Sequence, residues 1–361
     1  MEKLLIDLLK IPSESQNLEE LNNIVDYVEN FFKGTNAIIE RFIFNNKPSI
    51  IISNFWWKKA DIILNWHLDV VPKLEEDQFK PYKKDWKLYA RWAWDMKAWV
   101  AIMMTLMKKL LKENFKDKKI NLILTTDEEV WWFDWVGKLV EKWYEAKVVL
   151  IPDSGSVNEI VYSEKWIIHL NLIFNWISCH ASRPWLWENA IDNLFKFYNF
   201  LKNYIENPKK IYGLKDHWGS TVSLNVVNGW VATNTICDNV EAKIDIRLTE
   251  EFDIDNLLKQ IKQILKITNW EIKELLTWDI LYSDPSNPFV NKYFKIAKKY
   301  NSNVSLAKEH WASDWRFFAK NKNIVLLQRP WCWNIHWKKE FVNLSDLDII
   351  YKIYEDFIYN F

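Results

Sequence analysis

The sequence predicts an α/β fold in which a smaller α+β unit is inserted. Three observations carry this reading. Short apolar runs of strand length alternate with helical patterns over residues 1–165, as a largely parallel sheet with crossover helices requires. Over residues 166–277 the strand-like runs instead alternate apolar and polar residues, as half-buried antiparallel strands do. From residue 278 to 361 the α/β character returns. The insert therefore divides one α/β domain into two parts.

The elements follow in order. Residues 1–33 repeat apolar residues at helical period, with Leu4, Leu5, Leu8 and Leu9 opening one face. The runs "AIIERFIF", "SIIIS", "DIILN", "INLILTT" and "KVVLIP" have the length and composition of strands. Among them "DMKAWVAIMMTLMKKLLKEN" reads as a strong helix, with Val100, Met103, Met104, Met107, Leu110 and Leu111 on its apolar face. The insert reads strand 167–174, helix 188–206, strand 221–228, strand 240–248, helix 253–266 and strand 271–277, the βαββαβ order of a ferredoxin-like unit. A helix over 288–300, the strand "NIVLL" and a helix from Ser345 complete the chain.

Composition narrows the class. At 49% hydrophobic and 27% charged residues the 361-residue chain is globular. Lys plus Arg and Asp plus Glu both number 48, which leaves no basic field for nucleic acid. The apolar runs are too short to span a membrane. The opening "MEKLLIDLLKIPSES" does not read as a cleavable signal, because Glu2, Asp7 and Lys10 interrupt its apolar residues. Cys179, Cys237 and Cys332 are few, odd in number and widely spaced, which fits a reducing cytoplasm. The expected partner is a small-molecule substrate, with no nucleic acid and no membrane.

One figure is abnormal. The chain has 24 Trp and 6 Gly, whereas roughly 25 glycines are ordinary at this length. The two together restore an ordinary glycine content. The tryptophans also fall in "EEVWWFDW", "VVNGWVATN" and "RPWCWNIHW", which read as tight turns that favour glycine. Our hypothesis is that most of them stand for a codon, UGA being the obvious candidate, that the host decodes as glycine. In "SRPWLWEN" Trp185 reads as a true tryptophan and Trp187 as a glycine. The alternative is a genuinely Trp-rich, non-catalytic protein whose aromatic surfaces bind aromatic ligands, sugars or membranes.

The polar clusters sit at strand ends. "DIILN" runs into "WHLD", "INLILTT" into "DEE" and "KVVLIP" into "DSGS". In open α/β sheets ligands bind beyond the carboxyl ends of the strands. His67, Asp69, Asp127, Glu128, Glu129 and Asp153 should therefore share one crevice, joined by Asp95. So many carboxylates cannot all stay ionised without compensation. A pair of divalent cations supplies it, and His with carboxylate ligands suits zinc. Each motif alone is weak: "HLD" could be a surface turn, "DEE" a solvated face and "DMK" a helix N-cap. Their order and their common placement give them weight.

"LNWHLDVVP", "LYARWAWDMKAWVA", "TTDEEVWW", "PDSGS", "SCHASRPWLWENAID" and "NIHWKKEF" together resemble the signature set of the di-zinc metallopeptidase family. That family includes acetylornithine deacetylase, succinyl-diaminopimelate desuccinylase, aminoacylase, glutamate carboxypeptidase and dipeptidases. The likeness covers nearly the whole chain, and the family has glycine where this sequence has Trp66, Trp92, Trp94, Trp99, Trp131 and Trp187. It implies a zinc-exopeptidase-like catalytic domain, 1–165 with 278–361, and a ferredoxin-like lid and dimerisation domain at 166–277.

The resemblance also implies roles. His67, Asp95 and Asp153 would hold one divalent ion and Asp95, Glu129 and His336 the other, with zinc foremost and cobalt or manganese as alternatives. Asp69 would orient His67, and Glu128 would be the general base acting on a metal-bridged water. A cis Asp95–Met96 peptide is implied as well. His180 of the lid would reach the partner subunit's site and stabilise the oxyanion. Asn234, Arg247 and Arg316 would bind substrate, with Asp314 in the same segment as Arg316; the lesser alternative for Arg247 is a strand-end ion pair. Asp153, where the deacetylase and desuccinylase branches usually carry Glu, tilts the reading toward peptide substrates. The implied activity is hydrolysis of a peptide or N-acyl amide beside a free carboxylate, in a homodimer; a biosynthetic deacylase is the alternative.

Overall fold

The computed structural model describes residues 1–75, 78–130, 134–142, 144–229, 232–267, 270–313, 316–320, 323–329 and 340–361. The chain forms two compact units. One comprises Met1–Tyr162, Tyr282–Ala307 and Ser313–Phe361, and the other Ser163–Leu281 with Lys308–Ala312. The short return of Lys308–Ala312 to the second unit left no trace in the sequence pattern.

The first unit is built on a mixed sheet whose centre is parallel. Ile120–Thr125, Lys59–His67, Glu145–Ile151 and Ile324–Leu327 lie side by side in that order, all parallel. Lys47–Ser53 and then Ile38–Phe44 extend one edge antiparallel. Every residue of Ile120–Thr125 is buried, as expected of a strand covered on both faces. Leu64 pairs with Leu122 on one side and Leu150 on the other, so the carboxyl ends of these strands are level. That alignment is what gathers the strand-end residues.

The helices cover this sheet. Ala98–Lys112 is buried on nearly all sides, with Ala101, Ile102 and Leu106 as inaccessible as the apolar face read from sequence. The reason is the C-terminal helix Leu344–Tyr359, which packs over it and pairs Glu355 with Lys109 at 2.8 Å. The helical period of residues 1–33 resolves into two helices, Glu2–Leu9 and Leu18–Phe32. Pro12 and the serines of "IPSES" interrupt it, and the Asn17 side chain caps the second helix by accepting from the Glu20 amide.

The second unit is an antiparallel four-stranded sheet in the order Thr221–Asn228, Asn239–Leu248, Trp166–Asn175, Trp270–Trp278. With helices Ala190–Ile205 and Ile254–Ile267 this is the ferredoxin-like arrangement. Ile168, Leu170, Leu172 and Phe174 alternate onto the helix-covered face with Val240, Ala242, Ile244 and Ile246. The opposite face carries His169, Asn171, Lys243, Asp245 and Arg247, which line a hollow of about 450 Å³.

Candidate active site

Three adjacent strand ends supply the site in the first unit. His67 is the last residue of its strand, and beside it Thr125 leads through Asp127 into a single 3-10 turn, Glu128–Val130. On the other side Ile151 leads to Asp153. Gly155, in the next turn, has φ +79, and a Cβ there would collide with the Glu159 carbonyl. Asp95 enters from the turn Ala93–Lys97, which precedes the buried helix, and its peptide bond to Met96 is cis.

His67 is oriented at both nitrogens. Nδ1 lies 3.0 Å from the Asp69 carbonyl oxygen and 3.4 Å from Asp69 Oδ1. That leaves Nε2 facing Asp95 Oδ1 at 3.5 Å and Glu128 Oε2 at 3.8 Å. Asp69 is fully buried, and its carboxylate also accepts the amides of Glu128 at 3.2 Å and Glu129 at 3.1 Å. One side chain thus ties the His67 strand to the Glu128 turn.

The electrostatics follow from crowding. Burial is the largest influence on Glu128 and raises its carboxyl; Asp153, Glu129 and Asp95 raise it further against the pull of His67, so it titrates well above the ordinary range. Its side chain keeps 31% of its surface accessible, so solvent reaches it. His67 is fully buried, which opposes protonation, yet Glu128, Asp69 and Asp95 outweigh that cost and raise it well above an ordinary imidazole.

The donor set fits a divalent cation. An imidazole whose Nδ1 is held by a carboxylate or carbonyl and whose Nε2 faces carboxylates has the form of a metal-ligating histidine. Two donors about 2.0–2.2 Å from one tetrahedral ion stand roughly 3.4 Å apart, close to the His67–Asp95 separation of 3.5 Å. Among the described residues no group of three His, Cys, Asp or Glu side chains closes on one point. His336 and Asp314 lie outside the described residues, as does the side chain of Arg316, which opens the helix Arg316–Lys320.

The second unit holds the remaining candidates. His180 is exposed and forms a bridge with Thr235, while the Ala181 amide donates to the Asn234 carbonyl at 2.8 Å. These two contacts bring His180 and Asn234 together. His180 Nδ1 accepts from the Ser182 amide at 3.2 Å, which places the proton of the neutral ring on Nε2. Arg247 pairs with Asp245 at 2.8 Å and 3.0 Å, and Asp245 also meets His169 Nε2 at 2.7 Å.

Sequence reasoning missed several neighbours. The Glu340 side chain accepts the Asp95 amide at 3.2 Å, and buried Arg91 is electrostatically coupled to Glu340 and Glu129. Arg329, beyond the fourth parallel strand, donates to the Asp153 carbonyl at 2.7 Å and the Gly155 carbonyl at 3.0 Å. The one available signal was for Arg329, which follows an apolar strand as Asp153 does.

A parallel sheet with acidic and histidine residues at its strand ends is an arrangement that can hold divalent cations and support hydrolysis. The chain belongs to peptidase family M20/M25/M40, which it matches over residues 63–360. It is 24% identical over 332 residues to a probable succinyl-diaminopimelate desuccinylase of Staphylococcus epidermidis, covering 82% of this chain and 80% of that protein. Its fold is similar to that of the aminopeptidase PepT of Bacillus cereus, with a TM-score of 0.74, 18% identity and coverage of 99% and 96%. It is also similar to the YXEP protein of Bacillus subtilis, a dinuclear metal binding peptidase of the M20 family, with a TM-score of 0.67, 11% identity and the same coverage.

Proposed function

We propose that this protein hydrolyses a peptide or N-acyl amide bond next to a free carboxylate, with Glu128 as general base. The observation that carries the reading is His67, whose Nδ1 is held by Asp69 while Nε2 faces Asp95 and Glu128. His67, Asp95 and Asp153 would hold one divalent ion and Asp95, Glu129 and His336 a second, zinc foremost and cobalt or manganese as alternatives. When bound, such ions polarise the scissile carbonyl and acidify water. Glu128 takes a proton from water at its carboxylate and delivers it to the leaving amine. Asp69 keeps His67 in one tautomer and holds the Glu128 turn in register with it.

The second unit supplies the lid and the dimer contact in this reading. His180, with its proton on Nε2, donates to the carbonyl oxygen as charge develops there, acting on the partner subunit's site. Asn234, Arg247 and Arg316 hold the substrate, Arg247 by the two-pronged geometry that suits a carboxylate. The cytoplasm is the proposed location; Cys179 and Cys237 are free thiols, and among the described residues no helix is long and apolar enough to cross a membrane.

A biosynthetic deacylase is the second reading, favoured by the likeness to a desuccinylase; Asp153 tilts toward peptides. A screen of dipeptides against N-acetyl and N-succinyl amino acids, with and without added zinc, separates them. Turnover of dipeptides alone supports the peptidase reading, turnover of acyl amino acids the deacylase, and turnover of neither class with zinc present sinks both.

A further inference from the structure

The family match begins at residue 63, yet an earlier segment reaches the centre of the site. Residues 11–15, between the first two helices, run as a strap along the loop that follows His67. The Val70 amide donates to the Ser13 carbonyl and the Ser15 amide to the Val70 carbonyl, each at 3.0 Å. Ser13 Oγ donates to the Leu68 carbonyl at 2.7 Å. The same strap is tied to the Asp95 turn, because the fully buried Lys97 ammonium donates to the Leu8 carbonyl at 3.0 Å and to the Ile11 carbonyl.

Ser15 differs from these backbone ties. Its hydroxyl donates to Asp69 Oδ2 at 2.8 Å, with the Val70 carbonyl a longer second acceptor at 3.2 Å, and the Ser15 and Asp69 side chains are buried, at 2% and 0% exposure. Asp69 Oδ2 also accepts the Glu129 amide, and Oδ1 accepts the Glu128 amide. A carboxylate can turn about its terminal torsion unless donors fix both oxygens. The Glu128 and Glu129 amides engage one oxygen each, and the Ser15 hydroxyl adds a second donor to Oδ2 from outside the His67 and Glu128 segments.

We propose that Ser15 is a positioning residue that fixes the Asp69 carboxylate and, through it, the placement of His67, Glu128 and Glu129. This rests on the functional reading above. Outer partners of metal-ligating histidines typically change metal affinity or activity by about 10–100-fold when removed. Asp69 is that outer partner and Ser15 acts one contact beyond it, so Ser15→Ala should lower kcat by up to about tenfold with KM within about twofold of wild type. It should also weaken zinc binding, read by competition with a chelator and independently of turnover. Ser15→Thr should restore both.

Ser13→Ala is the control, since its hydroxyl donates to the Leu68 backbone carbonyl and not to the Asp69 carboxylate. It should lower Tm while leaving kcat and zinc affinity near wild type. Should Ser15→Ala not fold, Ser15→Cys keeps the volume, replaces the hydroxyl with a weak donor and carries the same expectation. An active wild type matched by Ser15→Ala in kcat and zinc affinity overturns the assignment of Ser15 alone. Equal kcat losses in Ser13→Ala and Ser15→Ala also overturn it, since general loosening of the strap then accounts for both. A wild type that neither binds zinc nor turns over overturns the functional reading and this inference with it.

Discussion

Glu128 Oε2 lies 3.8 Å from His67 Nε2, and the two side chains shift each other's protonation in opposite directions. Glu128→Gln removes the base while leaving His67, Asp95, Glu129 and Asp153 in place. We expect kcat to fall by about 10²–10⁴-fold with bound metal unchanged, measured by steady-state kinetics beside metal analysis. Turnover at the wild-type rate would show that Glu128 is misassigned.

A second expectation concerns His180, which is exposed on the second unit. If it serves the partner's site, mixed dimers of His180→Ala and Glu128→Gln contain one site with both residues intact. Mixing the two inactive proteins should restore activity, about half that of wild type per mixed dimer and about a quarter for an equal mixture that exchanges at random, if the sites act independently. No recovery after verified subunit exchange places His180 in its own chain's chemistry or outside it.

Lys165 gives a pH expectation. Its ammonium is buried and donates to the Gly219 carbonyl at 2.6 Å, and burial with Arg247 nearby lowers it from 10.5 to about 8. The unfolded chain then binds the extra proton between about pH 8 and 10.5. Lys165 therefore costs the fold most below pH 8, and stability rises with pH through that window. The cost is on the order of 3 kcal/mol at neutral pH. Lys165→Met should raise Tm at pH 7 and flatten its rise toward pH 10; an unchanged pH dependence would contradict this.

How much of this could be read from the chain depends on the range of the forces involved. The strands that run into His67, Asp127 and Asp153 were legible because burial on both faces demands continuous apolar runs, so the polar residues at or just past each end stand out. The two faces of Trp166–Asn175 were legible for the related reason that one face is covered by helices and the other is not. Ser15, Arg91, Lys97, Arg329 and Glu340 were not recognised as neighbours of the site. Each gains its meaning from a partner tens to hundreds of positions away, and no local period marks it. The break between Leu9 and Leu18 was passed over because apolar spacing continues across it, although Pro12 removes a donor that the helix needs.

The tryptophans yield a covalent prediction. Trp92 takes a left-handed backbone, φ 63, is fully buried, and its indole N–H has no hydrogen-bond partner among the described residues; Trp86 has φ 61. Bulky residues rarely adopt that conformation, and glycine does so freely. Trp66 and Trp99 are buried at 2% and 1% exposure, and the side chain of Trp94 lies outside the described set. Protein from the native host should carry glycine at Trp66, Trp92, Trp94 and Trp99. Peptide mass spectrometry over residues 88–99 of the native protein checks this, and tryptophans found intact in an active enzyme would refute it.

The most direct test of the central claim is a zinc titration of metal-free protein, followed by amide hydrolysis at each point. The expected result is turnover that is absent without metal and reaches a plateau at about two ions per chain. A chain that binds no zinc, or that hydrolyses its substrate equally well without it, contradicts the assignment of His67, Asp95, Glu129, Asp153 and His336 as ligands.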